Sequence, residues 1–134
     1  MKALTIGKVA DMSGISVETV RFYERKGLIE EPPRKESGYR QYPVDTVNRL
    51  LFIRRAKELG FSLEEIKDLL HLKIDPSSTC EQVKAKAEEK IASIEEKVNA
   101  LNRMKEVLLQ LTEDCPGEVG ISDCPILYSL EGKK

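Results

Sequence analysis

The chain has 134 residues, room for one domain and an extension, with 40% hydrophobic and 34% charged residues, few aromatics and no Trp. That profile points to a mainly helical protein with a long solvated helix and argues against a β-sandwich or barrel. The net charge is −1, yet residues 1–60 carry 12 Lys and Arg against 8 Asp and Glu, while residues 61–134 carry 10 against 15. A basic amino-terminal half suits a nucleic-acid surface.

In chain order, Thr5 caps a first short helix, Ile6–Met12, which Ser13-Gly14 ends. Ser16 caps a second, from Val17 to about Lys26, and Gly27 stops it. Two short helices across a tight turn make a helix-turn-helix pattern. Pro32-Pro33 then breaks the helical register. Ser37-Gly38 offers a turn, and Tyr39–Tyr42 a short strand, together a small wing. Pro43 opens a third helix, Val44–Leu59, with Val47, Leu50, Leu51 and Ile53 on its apolar face. Ser62-Leu63-Glu64-Glu65 is a capping box for a fourth helix, Leu63–Leu72. The linker Asp75-Pro76-Ser77-Ser78 follows.

Thr79-Cys80-Glu81-Gln82 is a second capping box, so Cys80 takes the first helical position of a helix that runs to about Leu111. Apolar residues recur along it in steps of three and four: Val83, Ala87, Ile91, Ile94, Val98, Leu101, Met104, Leu108 and Leu111. This is a coiled-coil stripe, and such a helix cannot bury it alone. A second copy of the chain is the expected partner, giving a homodimer.

The three cysteines, Cys80, Cys115 and Cys124, bracket this helix. At about 1.5 Å per residue, Cys80 and Cys115 would lie roughly 50 Å apart in one chain. An antiparallel pair of helices instead brings Cys80 of one chain to Cys115 and Cys124 of the other, which predicts two three-thiolate sites suited to a soft metal ion. No apolar run reaches membrane length and Met1–Met12 has no signal-peptide core, so the chain is expected in the cytoplasm, off the membrane, with its thiols reduced.

The residues Thr5-Ile6-Gly7 with Val9-Ala10, Val17 to Leu28, Gly38-Tyr39-Arg40 with Tyr42, and Leu59 to Ile66 resemble the MerR family of bacterial transcription regulators, in register along nearly the whole chain. The resemblance implies a winged helix-turn-helix DNA-binding domain with supporting helices over residues 1–74. A linker and dimerisation helix over 75–112 and a metal-binding loop with a carboxy-terminal segment over 113–134 would follow. It places Glu18, Thr19 and Arg21 on the exposed side of a recognition helix in the major groove. Arg21 and Tyr23 would face DNA, Tyr39 and Arg40 of the wing would touch backbone or minor groove, and Arg54 matches a phosphate-contacting position. Phe22 is expected in the core. The partner would be a pseudo-palindromic operator in an overlong promoter spacer. The dimer would repress without metal and activate by distorting the DNA, so that RNA polymerase engages both promoter elements.

Within that family the three cysteines, with Cys124-Pro125-Ile126, resemble the mercury-responsive members, which makes Hg(II) the expected effector. Pb(II) and Cd(II) sensors share the plan. Copper(I)-type members lack a cysteine at the position of Cys80 and have a shorter loop. Zn(II) sensors add a cysteine and a histidine that the 116–123 loop lacks. His71, the only histidine, sits near the carboxy end of the fourth helix, where the helix dipole accounts for it. There is no Cys-x-x-Cys pair, phosphate-binding Gly loop or Ser/His/Asp set, so no enzyme is expected. Zn(II) and Cu(I) sensing stay behind these as alternatives, as does a thiol redox sensor on the same fold.

Overall fold

The computed structural model describes residues 4–32 and 41–132. Among them the regular structure is helical: α1 (Ile6–Ser13), α2 (Val17–Arg25), α3 (Asp45–Glu58), α4 (Leu63–Ile74), α5 (Cys80–Asp114) and α6 (Pro125–Leu130), with a 3-10 turn at Ile121–Asp123. The wing turn at Ser37-Gly38, with Tyr39 and Arg40, lies outside the described residues.

Local chemistry sets the helix ends. The Lys8 amide donates to Thr5 Oγ1, and the Thr19 amide donates to Ser16 Oγ at 3.1 Å. At α4 both halves of the capping box form. The Glu65 amide donates to Ser62 Oγ at 3.2 Å, and the Ser62 amide donates to Glu65 Oε1 at 2.8 Å. The same exchange opens α5, where the Thr79 amide donates to Gln82 Oε1 at 2.7 Å and the Gln82 amide to Thr79 Oγ1 at 3.3 Å. Gly14 ends α1 at φ 70°, a left-handed conformation that favours glycine.

The described residues fall into two compact units divided between Lys86 and Ala87, inside α5. In the first, α1 packs on α2 and α3, and α3 packs on α4. Their core gathers Val9 and Ala10, Val20 and Tyr23, Leu50 and Ile53, and Ile66 and Leu70, one pair from each of the four helices. Tyr42 is fully buried among them and pairs with Leu4 in an isolated antiparallel bridge, by bonds of 2.8 and 2.7 Å. The expected apolar face of α3 needs one correction. Leu51 is exposed and Ala56 is buried in its place, because the inward row follows Val47, Leu50, Ile53 and Ala56 in steps of three.

In the second unit α5 continues unbroken to Asp114, three residues past the expected Leu111. Its apolar stripe is open: Ile91, Ile94, Val98, Leu101, Met104 and Leu108 are all exposed, whereas Leu111 is buried. After Gly117 at φ 80°, the 3-10 turn leads to Cys124, the residue capping α6, with Pro125 at its first position. The sequence reading had only a loop and a tail here.

Candidate nucleic-acid interface and metal centre

The face of α2 that opens outward carries Glu18, Arg21, Arg25 and Lys26, all exposed. Val20 and Tyr23, on the opposite side, fix the helix to the core. Thr19 is half-buried and its hydroxyl sits 2.8 Å from Ser16 Oγ, so it shares in the cap that starts the helix. Tyr23 is 7% exposed, and burial pushes its phenol above the ordinary 10.0. A tyrosine so placed offers a partner little surface. Phe22 packs against the core from its rim, with the Lys26 ammonium 5.6 Å from its ring centroid. The aromatic pair thus has Tyr23 deeper than Phe22.

A partly buried hydrogen bond that no sequence pattern signals ties Tyr42 to this helix: the Tyr42 hydroxyl donates to Glu24 Oε1. Tyr42 stood out in the sequence as part of a motif, but its partners Glu24 and Leu4 are distant along the chain, and no local spacing signals them.

Arg54, expected at a phosphate, lies on α3 beside the end of α1. Its Nη1 donates to the Ser13 carbonyl at 3.2 Å, and its Nε is 3.4 Å from Glu58 Oε1. An added Cβ at Gly14 would run into the same guanidinium.

All three cysteines are free thiols. Cys80 is exposed at the first position of α5, in the first unit. Cys115 and Cys124 are half-buried in the second unit. Cys115 directly follows the end of α5, and Cys124 starts α6 with its carbonyl accepting from the Tyr128 amide at 3.2 Å. Among the described residues no three His, Cys, Asp or Glu side chains gather closely enough to hold a metal ion. The donor set itself is three thiols with no fourth histidine, which fits a soft ion of low coordination number. His71 is exposed beside Asp68, Asp75, Ser78 and Lys86 around a shallow cavity of about 260 Å³, far in sequence from any cysteine but Cys80. Asp75 there accepts from the Ser77 hydroxyl at 2.7 Å and the Ser77 amide at 2.9 Å, which hold its carboxyl below the ordinary 3.8. Among the described residues no helix is long and apolar enough to cross a membrane.

Two family descriptions match the chain: "MerR HTH family regulatory protein" over residues 4–73 and "MerR, DNA binding" over residues 47–111. A mercuric resistance operon regulatory protein of Serratia marcescens is 42% identical over 134 residues, covering 100% of this chain and 92% of that protein. The HTH-type transcriptional regulator CueR of Yersinia pestis is 41% identical over 129 residues, covering 96% of this chain and 92% of that one. Among solved structures, the transcription regulator PbrR691 from Ralstonia metallidurans CH34, in complex with lead(II), superposes with a TM-score of 0.86 at 36% identity, covering 95% of this chain and 98% of that chain.

Proposed function

Because the chain belongs to the MerR family of helix-turn-helix transcription regulators, and so is a DNA-binding regulator and not an enzyme, we propose that it is a homodimeric, mercury-responsive switch at a promoter. The observation that carries this reading is α5, with free thiols at its two ends and an exposed apolar stripe between them. An unbroken helix of this length separates its ends by about 50 Å, so thiols at opposite ends do not meet within one chain. Antiparallel pairing of two copies covers the stripe and sets Cys80 of one protomer against Cys115 and Cys124 of the partner subunit.

The energetics favour such a pair. Seven stripe residues, Val83, Ile91, Ile94, Val98, Leu101, Met104 and Leu108, are each 40 to 62% exposed. Covering the remaining half of each contributes about 1 kcal/mol, or roughly 14 kcal/mol over two protomers. That is comparable to or above the roughly 4–15 kcal/mol cost of association.

A soft divalent ion, when bound, supplies thiolate bonds that tie the start of one α5 to the end of the other. The protein's part is to hold Cys80 at a capped helix start and Cys115 and Cys124 on either side of the turn after Gly117. The first two turns of α5 belong to the unit that holds α2, and Lys86 reaches Asp68 of α4 at 3.9 Å. Ion binding that fixes the start of α5 can therefore bias how the two α2 helices are presented, provided the two states of the dimer bind the ion differently. On the DNA side Glu18, Thr19 and Arg21 would face the major groove, with Tyr23 beside them and Tyr39 and Arg40 of the wing against the backbone or minor groove. Two-fold symmetry demands a pseudo-palindromic operator. Family membership supports one within an overlong promoter spacer, repressed without metal and opened to RNA polymerase by DNA distortion.

Mercury is favoured by the three-thiolate set and by the likeness to the mercuric resistance regulator. The likeness to the lead(II) complex supports lead as the second reading. An anaerobic titration of the purified protein with Hg(II), Pb(II), Cd(II) and Zn(II), in competition with small thiols and followed by thiolate–metal charge-transfer absorbance, separates them. Tight Hg(II) retention by the native protein, lost in Cys80→Ser, Cys115→Ser and Cys124→Ser with DNA binding kept, is the expected result. Stronger Pb(II) or Cd(II) retention changes the effector. Retention of no metal replaces the metal sensor with a thiol redox sensor.

A further inference from the structure

The turn of the helix-turn-helix is held from outside by one side chain. Helix α1 ends with no basic residue in its last turn; the Gly14 and Ile15 amides satisfy the Ala10 and Asp11 carbonyls, which leaves the Ser13 carbonyl to a donor from elsewhere in the fold. Arg54, some forty residues on in α3, fills that role. Its Nη1 donates to the Ser13 carbonyl at 3.2 Å, and Glu58 one turn along steadies its Nε at 3.4 Å. The neighbouring Gly14, at φ 70°, lies so close beneath the guanidinium that a Cβ would displace it. Ile15 and Ser16 alone then separate this fixed point from the start of α2.

Resting on the DNA-binding reading above, we infer that Arg54 is a positioning residue for DNA recognition: it sets the exit of α1, and so the angle of α2, through the Ser13 carbonyl, and it does not act as a phosphate contact. Two consequences separate these roles. A phosphate contact depends on charge, which lysine keeps. The brace depends on a planar fork that reaches a carbonyl and a carboxylate together, which lysine cannot reproduce. A phosphate contact also contributes about one unit to the slope of log affinity against log salt, whereas a brace contributes none.

The test uses full-length protein and a DNA duplex that the wild-type protein selects from a random-sequence library, with an unrelated duplex as the non-specific control. Arg54→Lys and Arg54→Gln should each bind the selected duplex about tenfold more weakly, as expected for a lost hydrogen bond to a charged group. The salt slope should stay within half a unit and binding to the unrelated duplex should be unchanged. Arg54 is half exposed, so both variants should fold, and circular dichroism at the assay temperature checks it. If Arg54→Lys binds like wild type while Arg54→Gln loses affinity and about one unit of slope, Arg54 is a phosphate contact and the brace is overturned. If the wild-type protein selects no sequence at all, the DNA-binding reading fails and the brace fails with it.

Discussion

Changing Val98 to Glu tests the dimer at its centre. An antiparallel register that faces Cys80 with Cys115 of the partner subunit puts the two-fold axis between Lys97 and Val98, so Val98 meets its own copy. In the single chain Val98 is 49% exposed, and its replacement removes little from the protomer's own packing. In the pair, both copies lose their remaining burial, about 1 kcal/mol each. Two carboxylates are also forced into one apolar seam, at a further cost of about 2 kcal/mol or more through desolvation and mutual repulsion. The total of about 4 kcal/mol weakens dimerisation roughly a thousandfold. Glu forms helix well, so the change does not act by breaking α5 locally. Sedimentation equilibrium over a concentration series reads the dissociation constant. Val98→Ala, which adds no charge, should cost about 2 kcal/mol, near thirtyfold. The facing carboxylates have raised pKa values in the dimer, so the Glu variant should regain affinity as pH falls below about 5. A Glu variant whose dimer constant stays within tenfold of wild type at neutral pH would refute both the register and the stripe as the interface.

Two further outcomes test the DNA-binding unit. Arg21→Ala, on the exposed face of α2, should cost about 1–3 kcal/mol of affinity for the selected duplex without changing metal uptake; unchanged affinity would remove Arg21 from the reading surface. Ser62→Ala removes the acceptor for the Glu65 amide and should destabilise the first unit by about 1 kcal/mol, a shift near 5 °C in thermal midpoint, read by circular dichroism at 222 nm. A midpoint unchanged within 1 °C would mean that the box does not hold the start of α4.

The capped helix starts were legible because caps are local. Thr5, Ser16, Ser62 and Thr79 each act on an amide three residues away, and each begins a helix where its sequence indicates. Chain geometry also limits what one helix can do. From Cys80 to Asp114 the spacing of apolar residues and thiols alone argued for a partner, and in the single chain most of that stripe is exposed. The carboxy-terminal segment was not legible. A 3-10 turn and a six-residue helix are too short to show a period, and Pro125 at a first helical position reads equally well as a loop residue.

By itself, the sequence determined the helical class, the order of α1 to α5, the side-chain caps and the placement of Cys80 and Cys115 at the two ends of the long helix, since all of these follow from interactions within four residues or from the period of a helix. The tertiary structure alone decided that Tyr23 is deeper than Phe22, that Leu51 is turned outward and that Tyr42 joins Leu4 and Glu24. It alone placed Arg54 against the Ser13 carbonyl. These depend on which helix faces meet. That choice is made by packing and by pairing of partly buried polar groups among residues up to 41 apart in the chain, which no local pattern encodes.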